Sequence, residues 1–342
     1  MMRGRYRFGI RAVLLVMALA LVGAACSSDD SADTTTTAAA EAGATTTAAE
    51  AGATTTAAGG GGSEGGTIGF AISSFDNDFF VSLKDGVEAA AAEAGATVTI
   101  TDAGGDAATQ ASQVEDFITQ GVDLIMVNPV DSDAIVPSVE AANAAGIPVM
   151  AVDRGSSGGD VVATVASDNV LGGTMAGEYL FEQVGAAGDV LELQGIIGTS
   201  AAQDRGDGFQ LALDDASGIT RVAQQTANFA RDEGLTVTEN LLQANPDATG
   251  LFAHNDDMAL GAVEAAAAAG VDLIIVGFDA APDAVQAIAD GTMAGTIAQQ
   301  PVLIGQLAVE AAMKVIAGET VPAVVAVPVA LVTPDNVADF LN

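Results

Sequence analysis

An α/β fold of two lobes with parallel sheets is what the sequence from Thr67 onward predicts, and three observations predict it. Short apolar runs alternate with Ala-rich segments of helix length. Several of those segments open on Asp and close on Gly, as Asp106 to Gly121, Asp133 to Gly146 and Asp256 to Gly270 do. The chain of 342 residues exceeds one ordinary domain and leaves room for two lobes after its N-terminal extras are set aside.

The apolar runs, in order, are TIGFAI from Thr67, TVTIT from Thr97, DLIMVN from Asp123, PVMAVD from Pro148, VVATVA from Val161 and DVLELQ from Asp189. TRVAQQ from Thr220, GLFAHN from Gly250, DLIIVGFD from Asp272, GTIAQQ from Gly295 and VVAVPVALV from Val324 complete the series. GVDLIMV at Gly121 and GVDLIIV at Gly270 look like traces of a duplicated half, although short apolar repeats also arise by chance. A helix starting near Asp78 places Phe80, Leu83 and Val87 on one inward stripe and turns Phe79 about 100° away, over Ser82. Phe80 then reads as core, and Phe79 needs another reason to be apolar.

Residues 1–25 have the pattern of an export signal, with Arg3, Arg5, Arg7 and Arg11 ahead of an apolar run from Ala12 to Val22. The run is short for a membrane span. Cys26, the sole cysteine, follows in GAACSS, a segment that resembles the lipobox of bacterial lipoproteins, with Gly23 in place of the usual leucine. Lipidation of Cys26 is the expectation, and cleavage by the ordinary signal peptidase is the alternative. Residues 26–66 repeat AEAGATTTA and end in glycines, a composition expected to form a disordered tether with an end-to-end distance of about 35 Å.

Six Lys and Arg against 45 Asp and Glu leave the chain beyond Ala25 at a net charge of −39. Such a surface repels nucleic acid and anionic membranes. No nucleophile motif, metal-ligand spacing or phosphate loop accompanies the single histidine, His254, so no catalytic residue, metal or cofactor is expected. His254 reads as a pocket neighbour or loop residue. The acidic pairs Asp214–Asp215 and Asp256–Asp257 read as helix starts or solvent-facing groups.

In parallel α/β sheets ligands bind beyond the carboxyl ends of the strands. The residues ending the apolar runs are Ser73 with Asn77, Asn128, Asp153 with Arg154, Asn255, Asp279 and Gln299, and Arg205 lies in GTSAAQDRGDGF. Singly, each fits a turn cap or a local surface pair. Jointly, two carboxylates and two arginines make a nearly neutral pocket that suits a neutral polyhydroxyl ligand. Phe79 and Phe80 offer one wall for the C–H face of a sugar ring, and Phe229 and Phe278 offer the other.

The motifs FFVSLKDG, NPVDSDA, ASDNVLGG, LQGIIGTSAA, DRGDGF, NDDMALGA, VGFD and TIAQQP closely resemble those of the bacterial D-ribose-binding proteins of ABC importers. The resemblance runs from Thr67 to about Val332. It implies that Ser73, Asn77, Phe79, Phe80, Asn128, Asp153, Arg154, Arg205, Phe229, Asn255, Phe278, Asp279 and Gln299 line a sugar site. Asp78 stands where proline is usual and His254 where glutamine is common. The resemblance further implies two Rossmann-like lobes of the periplasmic-binding-protein-like I type, residues 67–167 with 300–328 and residues 168–299 with 329–342. Three hinge crossings are expected near Ser167 to Asn169, Gln299 to Pro301 and Val327 to Val329. The implied partners are a monosaccharide, D-ribose first, and the permease subunits of an ABC importer, with the membrane reached through lipid on Cys26 and the protein acting as a monomer outside the cell membrane. Alternatives are another monosaccharide (allose, xylose, arabinose or galactose) or input to a sugar sensor. A repressor of the lac type shares the two-lobe design, but the segment before Thr67 holds an export signal where a DNA-binding unit should be.

Overall fold

Parallel strands joined through helices must bury both faces of their sheet, and the inner strands of this chain do. The structure, a computed structural model, describes residues 65–185 and 187–341. The expected export signal, Cys26 and nearly all of the expected tether lie outside the described residues. Among the described residues no helix is long and apolar enough to cross a membrane.

The first lobe begins β1 (Thr67–Ile72), α1 (Asp78–Ala94), β2 (Thr97–Asp102), α2 (Ala107–Gln120), β3 (Leu124–Val127), α3 (Val136–Ala144), β4 (Val149–Val152) and β5 (Val161–Ser167). The second follows with α4 (Asn169–Gln183), β6 (Gly188–Gln194), α5 (Ser200–Asp215), β7 (Ile219–Thr226) and α6 (Arg231–Ala244). It continues through β8 (Ala248–Ala253), α7 (Asp256–Ala269), β9 (Ile274–Asp279), α8 (Pro282–Ala289) and β10 (Gly295–Ala298). The chain then returns with α9 (Pro301–Ile316) and β11 (Val324–Val327) to the first lobe, and β12 (Ala330–Val332) adds to the second sheet before a short 3-10 turn at Val337–Asp339.

The two sheets have the orders β11-β5-β4-β3-β1-β2 and β12-β10-β9-β8-β6-β7, the same strand order twice, with the last strand parallel in the first and antiparallel in the second. Every residue of the inner strands β3 and β4 is buried, whereas the edge strand β2 alternates between exposed and half-buried. The strand order reverses between β1 and β3 in one sheet and between β6 and β8 in the other, so the crevices lie beyond the ends of those strands. The duplication is therefore real in topology, but the two GVDLI runs do not mark it. The first leads into β3 and the second into β9, whose equivalent in the first sheet is β4.

Helix starts follow side-chain chemistry. The Phe79 N–H donates to Asn77 Oδ1 at 2.7 Å to cap α1, and Gly95 ends it in the left-handed conformation at φ 69°. Phe80, Leu83, Val87 and Ala91 are the buried stripe. The segment from Asp133 to Gly146 is a shorter helix than its sequence suggests. Asp131 and Asp133 spend their carboxylates on a turn, accepting from the Ala134 N–H and the Ser157 hydroxyl respectively, and α3 starts only at Val136. VVAVPVALV is likewise two strands, not one. Pro328, which has no N–H to give a ladder, separates β11, parallel to β5, from β12, antiparallel to β10.

Three passages connect the sheets: from β5 to α4, from β10 to α9, and from β11 to β12. They lie side by side, with the Asp168 N–H donating to the Val327 carbonyl at 3.1 Å and Gln300 Nε2 donating to the Pro328 carbonyl at 2.8 Å. Each lobe closes with a helix that arrives from the other sheet, α9 against α1 and α4 against α5. Both helix pairs touch through glycines. A methyl on Gly86 or Gly305 would strike the carbonyl of Val302 or Leu83, and one on Gly173 or Gly208 would strike that of Arg205 or Val170. The second contact fixes the backbone that carries Arg205.

Candidate functional site

The strand ends of the two sheets face each other across a cavity of about 460 Å³, within the usual range for a small-molecule site. The first lobe contributes Ser73, Asn77, Phe79, Phe80, Asp153 and Arg154, and the second contributes Arg205, Phe229, Asn255, Asp279 and Gln299. Two of the thirteen expected residues stand one layer back. Asn128 is fully buried beneath the floor, donating from Nδ2 to Asp153 Oδ2 at 3.1 Å and accepting from the Ser73 N–H at 3.2 Å. Phe278 is fully buried with its ring 3.8 Å below the Arg205 guanidinium carbon. They support the site without lining the cavity.

The two arginines are aimed by different devices. Arg154 lies over the ring of Phe80 at 5.1 Å, donates from Nη1 to the Pro129 carbonyl at 3.3 Å, and sits 3.9 Å from Asp153. Arg205 donates from Nε to Asn169 Oδ1 at 2.8 Å and from Nη1 to the His254 carbonyl at 2.5 Å, with Asp279 at 3.7 Å. Both carboxylate contacts are ion pairs too long to be hydrogen bonds. Gln299 Nε2 donates to Asp279 Oδ1 at 2.6 Å.

Burial sets the protonation energetics. It pushes Asp153 up against the pull of Arg154 and Arg205, and pushes Asp279 up to about 7 against the pull of Arg205. It also lowers both arginines from their ordinary values. Three buried polar atoms at this site have no protein partner: Ser73 Oγ, Asp153 Oδ1 and Gln299 Oε1. Such orphans are uncommon in folded proteins. The backbone is strained here as well. The non-glycine residues with positive φ among those described are Asp153 (65°), Asn228 (51°), Phe229 (63°), Asp279 (125°) and Ala280 (58°), all at the cavity or next to it.

Ten of the lining residues were not legible as site residues, among them Asp76, Asn228, Arg231 and Asp257 at the rim. They correct the picture of a pocket balanced by four charges, because the rim adds two carboxylates against one arginine. Asp257 in particular does not simply face solvent. It accepts from Asn77 Nδ2 at 2.9 Å, a bond that spans the two lobes. Asp256 is fully buried, accepting from Thr296 Oγ1 at 2.7 Å and from the Ala281 N–H at 2.8 Å. Asp214 and Asp215 are exposed at the end of α5, not at a helix start.

His254 lies behind the site. Its Nδ1 accepts from the Gly195 N–H at 3.4 Å, so Nε2 carries the proton and donates to Glu192 Oε1 at 2.9 Å. Burial lowers its pKa, and the neutral ring fits this pattern. Glu192, also fully buried, takes Arg221 Nη1 on its other oxygen at 2.5 Å. This network fixes the strand ends that hold the His254 carbonyl against Arg205. Neither His254 nor Glu192 lines the cavity.

The sequence profile of the periplasmic binding protein domain matches residues 68–320. The ribose import binding protein of Bacillus subtilis (strain 168) is 45% identical over 267 residues, which cover 78% of this chain and 87% of that protein. Among solved structures, an ABC transporter solute binding protein from Bacillus halodurans C-125 with bound myo-inositol aligns with a TM-score of 0.77 at 33% identity, over 82% of this chain and 99% of that one. A periplasmic solute binding protein of an ABC transporter from Actinobacillus succinogenes 130z with bound D-allose aligns with a TM-score of 0.75 at 31% identity, over 80% and 99%. Two equivalent lobes, a cleft between their strand ends and these matches agree: the chain belongs to the periplasmic binding protein family of solute-binding proteins.

Proposed function

We propose that this protein captures D-ribose in the cleft and delivers it to an ABC importer, working as a lipid-anchored monomer on the outer side of the cell membrane. The observation that carries the ligand class is the set of unpartnered buried oxygens on Ser73, Asp153 and Gln299, set among two arginines with donors to spare. A neutral polyhydroxyl molecule supplies O–H donors and oxygen acceptors together and adds no charge to a buried cluster. The Phe79 and Phe80 rings meet edge to face at 5.3 Å and 90°, and Phe229 lines the cavity from the other lobe, so flat C–H surfaces have aromatic rings to pack against. The choice of ribose is supported by the name of the Bacillus subtilis relative. The three crossings serve as hinge, and sugar bridging the lobes stabilises the closed form that a permease recognises.

Calorimetric titration tests the ligand. D-ribose should bind more tightly than D-allose, xylose, arabinose, galactose or glucose, since a sugar that leaves a buried group unpaired loses about 1–3 kcal/mol per group. No heat from ribose, with clear heat from another sugar, would transfer the role to that sugar.

Arg205 and Phe79 divide the work. Arg205→Ala leaves Asn169 and the His254 carbonyl without their donor and Asp279 without its countercharge, and should cost on the order of 3–5 kcal/mol in ribose binding. Phe79→Ala removes face contacts to the sugar along with the edge-to-face contact to Phe80, with an expected loss of about 1–3 kcal/mol in binding. If Phe79→Ala instead lowers the melting temperature of the sugar-free protein and spares affinity, Phe79 is a core residue.

The anchor is tested separately. Cys26→Ser should shift the protein from the membrane to the soluble fraction or leave its signal uncleaved; a variant that fractionates and migrates like its parent would refute lipidation.

A further inference from the structure

We propose that a clasp outside the sugar pocket, made by Ser132 and Gly155 of the first lobe with Gly198 and Ser200 of the second, holds the lobes together and sets how long a sugar stays bound. The inference rests on the reading of the cleft as a sugar site. Ser132 follows β3, Gly155 follows β4, and Gly198 and Ser200 bracket the start of α5. None of the four lines the cavity.

The hydrogen bonds form a closed set across the lobe boundary. The Ser132 N–H donates to the Gly198 carbonyl at 2.8 Å, and the Ser200 N–H donates to Ser132 Oγ at 3.1 Å. The Gly155 N–H donates to Ser200 Oγ at 2.8 Å. Ser132 Oγ uses its own proton on the Gly155 carbonyl at 2.7 Å, which ties the two first-lobe loops into one receiving surface. That surface is held in turn by the Ser157 N–H, which donates to the Ser132 carbonyl at 2.9 Å. Three bonds therefore cross between lobes, each from a backbone N–H that would otherwise return to water when the lobes part.

Gly198 adds a steric requirement. A methyl there would run into the Asp131 carboxylate of the opposite lobe. The carboxylate cannot swing aside freely, because Asp131 Oδ1 accepts from the Asp133 N–H at 2.9 Å and the Ala134 N–H at 2.8 Å. Gly198 does not have a positive φ, so alanine is compatible with its own backbone and the clash arises only across the lobe boundary. A bond set that exists only with the lobes together acts on sugar release and leaves the choice among sugars alone.

The test uses Gly198→Ala and Ser200→Ala in the full chain, with whichever monosaccharide the parent binds, so failure of ribose itself bears on the ligand and not on the clasp. Dissociation of radiolabelled sugar should be about tenfold faster in Gly198→Ala, whose clash disturbs the whole set, and about threefold to tenfold faster in Ser200→Ala, which loses the one bond from the Gly155 N–H. All bound sugars should weaken by the same factor, and the melting temperature of the sugar-free protein should match the parent's. Parental release rates in both variants would overturn the clasp. So would losses that differ from sugar to sugar, which would place these residues in the pocket, or lower sugar-free melting with unchanged release, which would make them structural. If Gly198→Ala fails to fold, Ser200→Ala decides on the same readings.

Discussion

Four charged side chains buried in one cleft constrain everything around them. Asp153, Arg154, Arg205 and Asp279 are almost wholly removed from water, where an ion without compensation costs several kcal/mol. They compensate one another, but incompletely, since the two carboxylate–arginine contacts measure 3.9 and 3.7 Å. The remainder of the compensation comes from fixed groups: Asn128 under Asp153, Asn169 and the His254 carbonyl on Arg205, Gln299 on Asp279, and aromatic rings beneath both guanidinium groups. What stays unsatisfied is Ser73 Oγ, Asp153 Oδ1 and Gln299 Oε1, on residues that line the cavity.

The fold is arranged to hold that cluster still. The switch point of each sheet brings two strand ends to the crevice, and the strained φ angles at Asp153, Phe229 and Asp279 turn those residues toward it. The glycine contact between α4 and α5 seats the Arg205 backbone, and the buried Glu192–His254 pair fixes the strand end whose carbonyl Arg205 needs. Strain of this kind persists only where surrounding packing over-determines it.

The strands, the helices that follow an apolar stripe and most of the cavity lining were legible because period, caps and strand ends are local properties. Phe79 stood out for the same reason, as an aromatic on the wrong face of its helix. What could not be read depends on which segments meet. Glu192 looks like one polar position in a strand, and its burial follows only from Arg221 and His254 arriving beside it. Asn128 ends its strand like its neighbours, yet packs a layer lower because Asp153 stands over it. Asp257 opens a helix by sequence, and its second role exists only because Asn77 faces it from the other lobe. The paired GVDLI runs mislead because two inner strands of any parallel sheet favour the same residues.

The central claim is that a buried, incompletely compensated carboxylate awaits a neutral donor, and Asp279 reports on it directly. Its folded pKa of about 7 lies above the ordinary carboxylate value, so its contribution to stability is complete at acid pH and is lost as pH rises toward 7. A sugar hydroxyl donating to the charged form reverses that cost. Carbon-13 NMR titration of the Asp279 carboxyl, assigned with Asp279→Asn, should give a midpoint near 7 in the sugar-free protein. Saturation with sugar should move it down toward ordinary carboxylate values, with protons released on binding below pH 7. An ordinary carboxylate midpoint without sugar, or a midpoint that binding leaves in place, would contradict the account.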